Sequence, residues 1–571
     1  MTSRHTTDVF DPYDSEQIAR LNSAVDASIG TLAKYRKNYE RLRLKLHDPC
    51  HAEKPPTIAR EPVNEISDFV FDLTRLVVSS NPSLRIGRTN APRISGMTKA
   101  WLEDWGRKTD MASVLQGAFQ ECLLRWGIAY LSVDASRERG YWPRWMVLDF
   151  HDWFIDQRQA DEAEIDFEGH DYDVLREELD DNSIYDAEAV SALNNVTPRD
   201  GVYPSTYDRV RLRILWLPRE RLLLTLPAAS GDRSKPLTVR KYLGPPEGPY
   251  AHLSLKKRRG TIVPVSICAA LEDLSDFRGL MERQKFMQAD QWCEFFVAER
   301  ASARDADLYR TAEHGKVYTV ENVNGVKKET RGGVAQPTML GSMQAADLFN
   351  EKTGNLRQAT GRGVGAPTLG QERSLGVGVA AMIENARLAL NRFAKDLYRR
   401  PSWYFLHDDV YAEQNDDGAE RPRWINYTDE YGKTAPGKWQ FGMGALATAD
   451  DLDFEIIPDS LIERSSAEQA SSLLSSVQAL ASLMALPGPK PSYFDLPYMV
   501  EVMAEDLNQP ELARLFGQAQ SAESMAPGAD NAVAFAQRGG NPSQPGRTGP
   551  SPAQRMQDKL MFQGSPSAAI D

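Results

Sequence analysis

The feature that most constrains this chain is a pair of long helical stripes separated by a run of glycines. A Pro-free segment begins near Cys268, and Leu271, Leu274, Phe277 and Met281 recur in it at three- and four-residue steps, which puts them on one helical face. Trp292, Phe295 and Phe296 extend that stripe. A second stripe, made of Val377, Ala380, Ile383, Leu390, Phe393 and Leu397, runs until Pro401. Between the two lie a helical run from about 344 to 360 and the glycine-rich stretch Gly361 to Gly370. Closely spaced glycines let backbone N–H groups approach an anion. This stretch follows a helix-like segment rather than a strand and holds no lysine, so it reads as a sterically thin connection between two helices.

The rest of the chain sorts around these helices. Ile18, Leu21, Val25, Ile29 and Leu32 predict an amphipathic helix from Asp14 to about Leu46, with Asp14 and Gln17 as a capping pair. A loop with Pro49, Pro55 and Pro56 ends it, and a second helix from Asn64 to Ser79 stops at Asn81-Pro82. A third covers Ser95 to Gly127. Strand-like runs follow at 129–133, 145–148, 153–155, 210–216 and 221–226, split by an acidic stretch from Asp161 to Glu188 that reads as a solvated, self-repelling insertion. A β-like patch over 317–320 leads to the turn Asn322-Val323-Asn324-Gly325. A β-leaning region reaches Ile457-Pro458, a helix-rich one covers 461–516, and from Gly517 onward Gly, Pro, Ser, Ala and Gln predict disorder. The fold class expected is α+β, predominantly helical. At 571 residues, two or more packed regions are expected.

Composition narrows the function classes. No window approaches the roughly 18 apolar residues of a membrane span, and the N-terminus lacks the apolar core of a secretory signal, so synthesis in the cytoplasm is expected. The scattered Cys50, Cys122, Cys268 and Cys293 form no C-x-x-C pair and suit buried thiols in a reducing compartment. A net charge of -13 argues against a protein that grips nucleic acid by neutralising phosphates, but suits a conduit through which DNA must slide. No H-E-x-x-H, G-x-S-x-G or G-x-x-x-x-G-K-[ST] sequence is present. His47-Asp48-Pro49-Cys50-His51 is the nearest metal-like cluster, and Pro49 prevents a regular helix from presenting both histidines on one face. No metal, cofactor or catalytic residue is assigned. A hydrolase assembled from distant residues such as His151, Asp156 and His314 stays open as the alternative from another class.

In their order, these elements resemble the portal proteins of tailed bacteriophages over about 58–516. The segments that carry the resemblance are Pro62 to Pro82, Trp126 to Val133, Val147 to Asp156, Val263-Pro264-Val265 entering the next helix, and Thr360 to Pro367 followed by a helix from about Glu372. The resemblance implies N-terminal helices and a β-containing wing over 1–267, a first stem helix over 268–297, a clip over 298–340 and a second stem helix over 341–360. A channel-facing loop over 361–373, a long wing helix with a β-leaning segment over 374–460, a crown-like helical region over 461–516 and the tail 517–571 complete the division. It further implies a non-enzymatic ring of identical subunits, usually twelve, at one vertex of the viral head, through which double-stranded DNA is packaged and ejected. Terminase, tail adaptor proteins and capsid or scaffold proteins would be its partners, and the virion, with the host cytoplasm during assembly, its location. Another head-to-tail structural protein is the neighbouring alternative. On this reading Leu271, Leu274, Phe277 and Met281 pack between subunits, while Arg357, Arg362, Gly363, Gly365 and Arg373 line the DNA channel.

Overall fold

The computed structural model describes residues 10–47, 63–86, 92–133, 143–159, 161–180, 209–228, 235–298, 326–354, 369–407 and 452–457, with shorter pieces between them. All of these belong to one compact unit. About 53% of the described residues are helical and about 21% lie in strands, which fits a helix-dominated α+β chain. No helix among them is long and apolar enough to cross a membrane.

The N-terminal helices assemble the first half of the core. Helix α1 (Ser15–His47) begins where the Asp14 carboxylate accepts from the Glu16 N–H (2.9 Å), while Gln17 reaches back to Asp11 N rather than to Asp14. Ile18, Val25, Leu32 and Tyr39 recur one heptad apart and are buried, so one stripe of this helix faces the protein. In α2 (Glu65–Val77), Asn64 caps the Ser67 N–H. Strand β1 (Leu84–Ile86) follows. The single helix expected over 95–127 is in fact two, α3 (Pro92–Lys108) and α4 (Met111–Leu124). Asp110 causes the break: it sits at φ +51 and caps α4, a conformation that short polar side chains tolerate.

Two antiparallel sheets come next. Strands β2 (Gly127–Val133), β3 (Pro143–Leu148), β4 (Trp153–Ile155) and β5 (Glu168–Leu175) are followed by the short helix α5 (Arg176–Asp180). Then come β6 (Arg209–Leu217), β7 (Leu222–Pro227), β8 (Thr238–Lys241) and β9 (Tyr250–Leu253). One sheet has the order β3-β2-β9 and the other β4-β5-β6-β7-β8. Gly127 is required where α4 turns into β2, because a Cβ there would collide with the Ala118 carbonyl oxygen. The acidic stretch is not the solvated insertion expected over 161–188. Its residues 168–175 form β5, which pairs with both β4 and β6, because its carboxylates find cations: Arg213 binds Asp171 (2.7 Å), and Arg211 lies 3.9 Å from Asp173.

The second half projects from and then returns to this body. Helix α6 (Ile267–Asp290) leads into β10 (Cys293–Ala298), which pairs with β11 (Val326–Arg331), and α7 (Gln336–Lys352) follows. The helix expected over 268–297 therefore ends at Asp290, since 293–298 pair as a strand. The helix expected over 341–360 begins earlier, at Gln336, with Pro337 in its first turn. The segment expected as 298–340 correspondingly contributes its first residue to β10 and its last five to α7. Helix α8 (Leu369–His407) already includes Leu369–Arg373 of the expected loop. It also continues past Pro401. Proline cannot donate to the Leu397 carbonyl, and the Trp145 indole N–H does so instead (2.8 Å), which satisfies the oxygen the proline leaves free. Strand pairs β12 (Glu413–Gln414) with β13 (Glu420–Arg421), and β14 (Arg423–Thr428) with β15 (Thr434–Trp439), lead to β16 (Phe454–Ile456). Strand β16 pairs with β1, Leu84 opposite Ile456, and so closes the core. Cys122 and Cys268 are buried as expected, Cys293 is exposed at the start of β10, and Cys50 lies outside the described residues. So do most of 461–516 and all of 517–571.

Candidate functional site

The root of α6 is bound firmly to the body. Ser266 caps it, accepting from Ala269 N (2.9 Å) and donating to the Leu123 carbonyl of α4 (3.4 Å). The buried Glu272 accepts from Asn38 (2.8 Å) and Arg41 (2.9 Å) on α1. Lys45 of α1 pairs with Asp276, and Arg278 pairs with the buried Glu65 at the start of α2. Leu271 is buried in this chain's own core and Leu274 is half-buried against it.

Beyond Arg278 the helix continues into a hairpin with α7 that leaves many apolar side chains on its outer surface. Polar and apolar contacts both hold α6 and α7 in place, with Ala345 and Phe349 of α7 buried. Ser342 bonds Glu282, Gln288 donates to Thr338 (3.3 Å), and the Gln288 side-chain carbonyl accepts from Ala335 N (2.9 Å). Burial would raise the Glu282 carboxyl, but the bonds from Ser342 and Lys285 hold it below the ordinary value. Met281 lies over Gly341, so it packs within the hairpin. The turn between β11 and α7 needs Gly332, which sits at φ +79 where a Cβ would meet the Gln291 carbonyl oxygen.

Other apolar side chains of the pair point outward. On α6, Phe277, Leu280, Phe286 and Met287 are exposed, the first, second and fourth at three- and seven-residue steps with Gln284 completing their stripe. On α7, Met339, Leu340, Met343 and Leu348 are each about half exposed, from 49% to 55%. Trp292, Phe295 and Val297 continue the exposed apolar surface onto the end of α6 and β10. Of the four residues expected to pack between subunits, only Phe277 projects freely. Leu280, Met287, Met339 and Met343 were not anticipated. The step from Phe277 to Leu280 and on to Met287 was a visible second stripe, offset from the one through Leu271.

A second cluster lies buried where the two sheets face each other. His252 of β9 has its Nε2 2.7 Å from Glu168 and its Nδ1 3.3 Å from Glu162, and Glu162 also pairs with Lys257 (3.0 Å). The Trp153 indole donates to Glu168 (2.8 Å), and the Trp126 and Trp153 rings pack on the imidazole. Next to it, His170 Nδ1 lies 2.9 Å from the Tyr250 hydroxyl. Burial would lower the His252 pKa, but the charge of Glu168 and the bonds to both carboxylates raise it to about 9. Burial drives His170 down to about 4. Alternating charges and the flanking tryptophan rings make this a charged clamp between the two sheets.

The remaining expected residues are placed as follows. Arg357, Arg362, Gly363, Gly365 and His314 lie outside the described residues, and Arg373 belongs to the first turns of α8. His151 is 3.9 Å from Asp152, whose carboxylate also pairs with Arg211. Asp156 is buried and bound by Arg158 (2.8 Å) and by the backbone N–H groups of Arg158 and Asp166, so His151 and Asp156 hold structural partners. Among the described residues no group of three or more His, Cys, Asp or Glu could hold a metal ion. No family model matches the chain. No curated protein matches it either.

Proposed function

We propose that this chain is the subunit of a homo-oligomeric ring of the phage-portal type, a structural conduit for double-stranded DNA rather than an enzyme. The observation that supports this best is the exposed apolar surface of the α6–α7 hairpin. A helical pair that leaves Phe, Leu and Met exposed on its outer surface presents apolar area that a neighbouring copy would cover. In a ring each copy meets two neighbours through two different surfaces, and the rotation closes without leaving a face bare. Burying a half-exposed Leu or Met contributes about 1 kcal/mol, so the eight outward apolar residues of α6 and α7 could together supply a large part of a stable interface. The firm root of α6 supports the same reading, because a projecting hairpin can hold a ring only if its base is fixed.

Terminase, tail adaptor and capsid or scaffold proteins would be the partners of such a ring, and the virion its destination. Electron microscopy of the purified protein is the test. Rings with a central hole, near twelvefold, are expected, and Leu280→Asp combined with Met343→Asp should give monomers of unchanged helicity. Unchanged assembly in that variant would overturn the role given to the hairpin.

A further inference from the structure

The chain carries 80 acidic against 67 basic residues, and its cations are commonly neutralised where the fold is built: Arg41, Arg158, Arg211, Arg213, Arg233 and Arg399 all have carboxylate partners. One run breaks this pattern. Lys256-Lys257-Arg258-Arg259, between β9 and α6, places four cations in consecutive positions, all exposed. Only Lys257 has an ion-pair partner, Glu162; Lys256, Arg258 and Arg259 have none among the described residues.

The run is also held in place. The Lys256 carbonyl accepts from Val265 N (2.9 Å), Gly260 turns the chain at φ +76, and the Thr261 hydroxyl donates to the Val263 carbonyl (3.2 Å). Lys257 is the outer end of the charge chain that passes through Glu162 and His252 to the buried Glu168. A flexible cationic loop would need no such anchor. Here three unneutralised charges are presented on a turn that continues from β9 and is bonded back to the residue before the cap of α6.

We propose that Lys256, Arg258 and Arg259 form a phosphate-binding turn for the backbone of double-stranded DNA. The choice of DNA over an acidic protein segment rests on the ring reading above, in which the duplex is the polyanion the assembly handles. The charge density agrees, since duplex DNA offers about one negative charge per 1.7 Å of axis, enough to meet several cations within one turn. Contacts of this kind are independent of sequence and weaken with salt, so they touch a moving duplex without selecting a position on it.

The test measures binding of a fluorescent duplex to the full chain over a range of salt concentrations, for the wild type and for Arg258→Ala/Arg259→Ala. Removing two phosphate contacts should make the dependence of log K on log salt shallower by about 2 and weaken binding about tenfold at low salt. An unchanged slope and affinity would overturn the assignment. So would a wild type that ignores DNA but loses affinity for polyglutamate when both arginines are removed, which would make the turn a protein-docking element. Ring formation is scored by microscopy on the same samples. Rings with an unchanged slope would sink only the DNA turn, and the expected slope change without rings would sink only the ring.

Discussion

Both ring nitrogens of His252 face carboxylates, so both must carry protons and the imidazole is a buried cation. Its folded pKa of about 9 lies above the ordinary 6.5, so its stabilising effect is complete below about pH 6.5 and is lost as pH rises through 9. The buried His170, with a pKa lowered to about 4, acts in the opposite direction: stability falls as pH drops from 6.5 towards 4. Glu162, which burial would raise but His252 and Lys257 bring down to about 2, adds a loss below its ordinary value of 4.5. Urea unfolding across pH should therefore show a maximum near pH 6 to 7. His252→Gln should cost about 3–5 kcal/mol at neutral pH, because it leaves Glu168 buried without its counter-charge. It should also flatten the decline between pH 6.5 and 9. A variant that keeps that decline would show the titrating group to lie elsewhere.

Among the elements, the α6–α7 hairpin depends on a few positions that hold its helices together. Gly332→Ala forces a Cβ into a left-handed turn, costs about 1–2 kcal/mol from backbone strain alone, and should loosen β11 and the start of α7. Hydrogen exchange should rise in those segments while α1 and α2 keep their protection. Pro401 gives the converse case. Trp145→Phe removes the indole donor from the Leu397 carbonyl, leaves a buried acceptor unsatisfied and should cost about 1–3 kcal/mol. Pro401→Ala in the same background should recover part of that loss, since the new N–H can bond the carbonyl. Tm values of the two variants decide between these outcomes.

For the whole molecule, assembly and stability are linked. If the outward faces of α6 and α7 are covered by neighbouring copies, folding is coupled to association and the apparent Tm must rise with protein concentration. Calorimetry over a hundredfold range of concentration should show that rise in the wild type. The Leu280→Asp/Met343→Asp variant should show none. A wild-type Tm independent of concentration would mean that these apolar faces stay open in solution.

Much of the fold could be read from the residues because it follows from local rules. The heptad spacing in α1, the Asn64 cap, the helix-to-strand switch at Gly127 and the alternating strands through 226 are written in patterns only a few residues long. The sequence by itself also determined that residues after Val265 form a long helix with an apolar face. Tertiary structure decided what each part of that helix does. Leu271 is buried in the core and Leu274 half-buried against it, whereas Phe277 and Leu280, flanking the Arg278 and Gly279 that meet the start of α2, lie on the other face and point outward. The same distinction explains the acidic stretch and the run at 256–259. A carboxylate or a cation is solvated or paired according to partners that lie far away in sequence: Glu168 finds His252, Asp171 finds Arg213, and Arg258 and Arg259 find no partner among the described residues. Periodicity tells which residues share a face, but only packing against distant segments decides whether that face is buried.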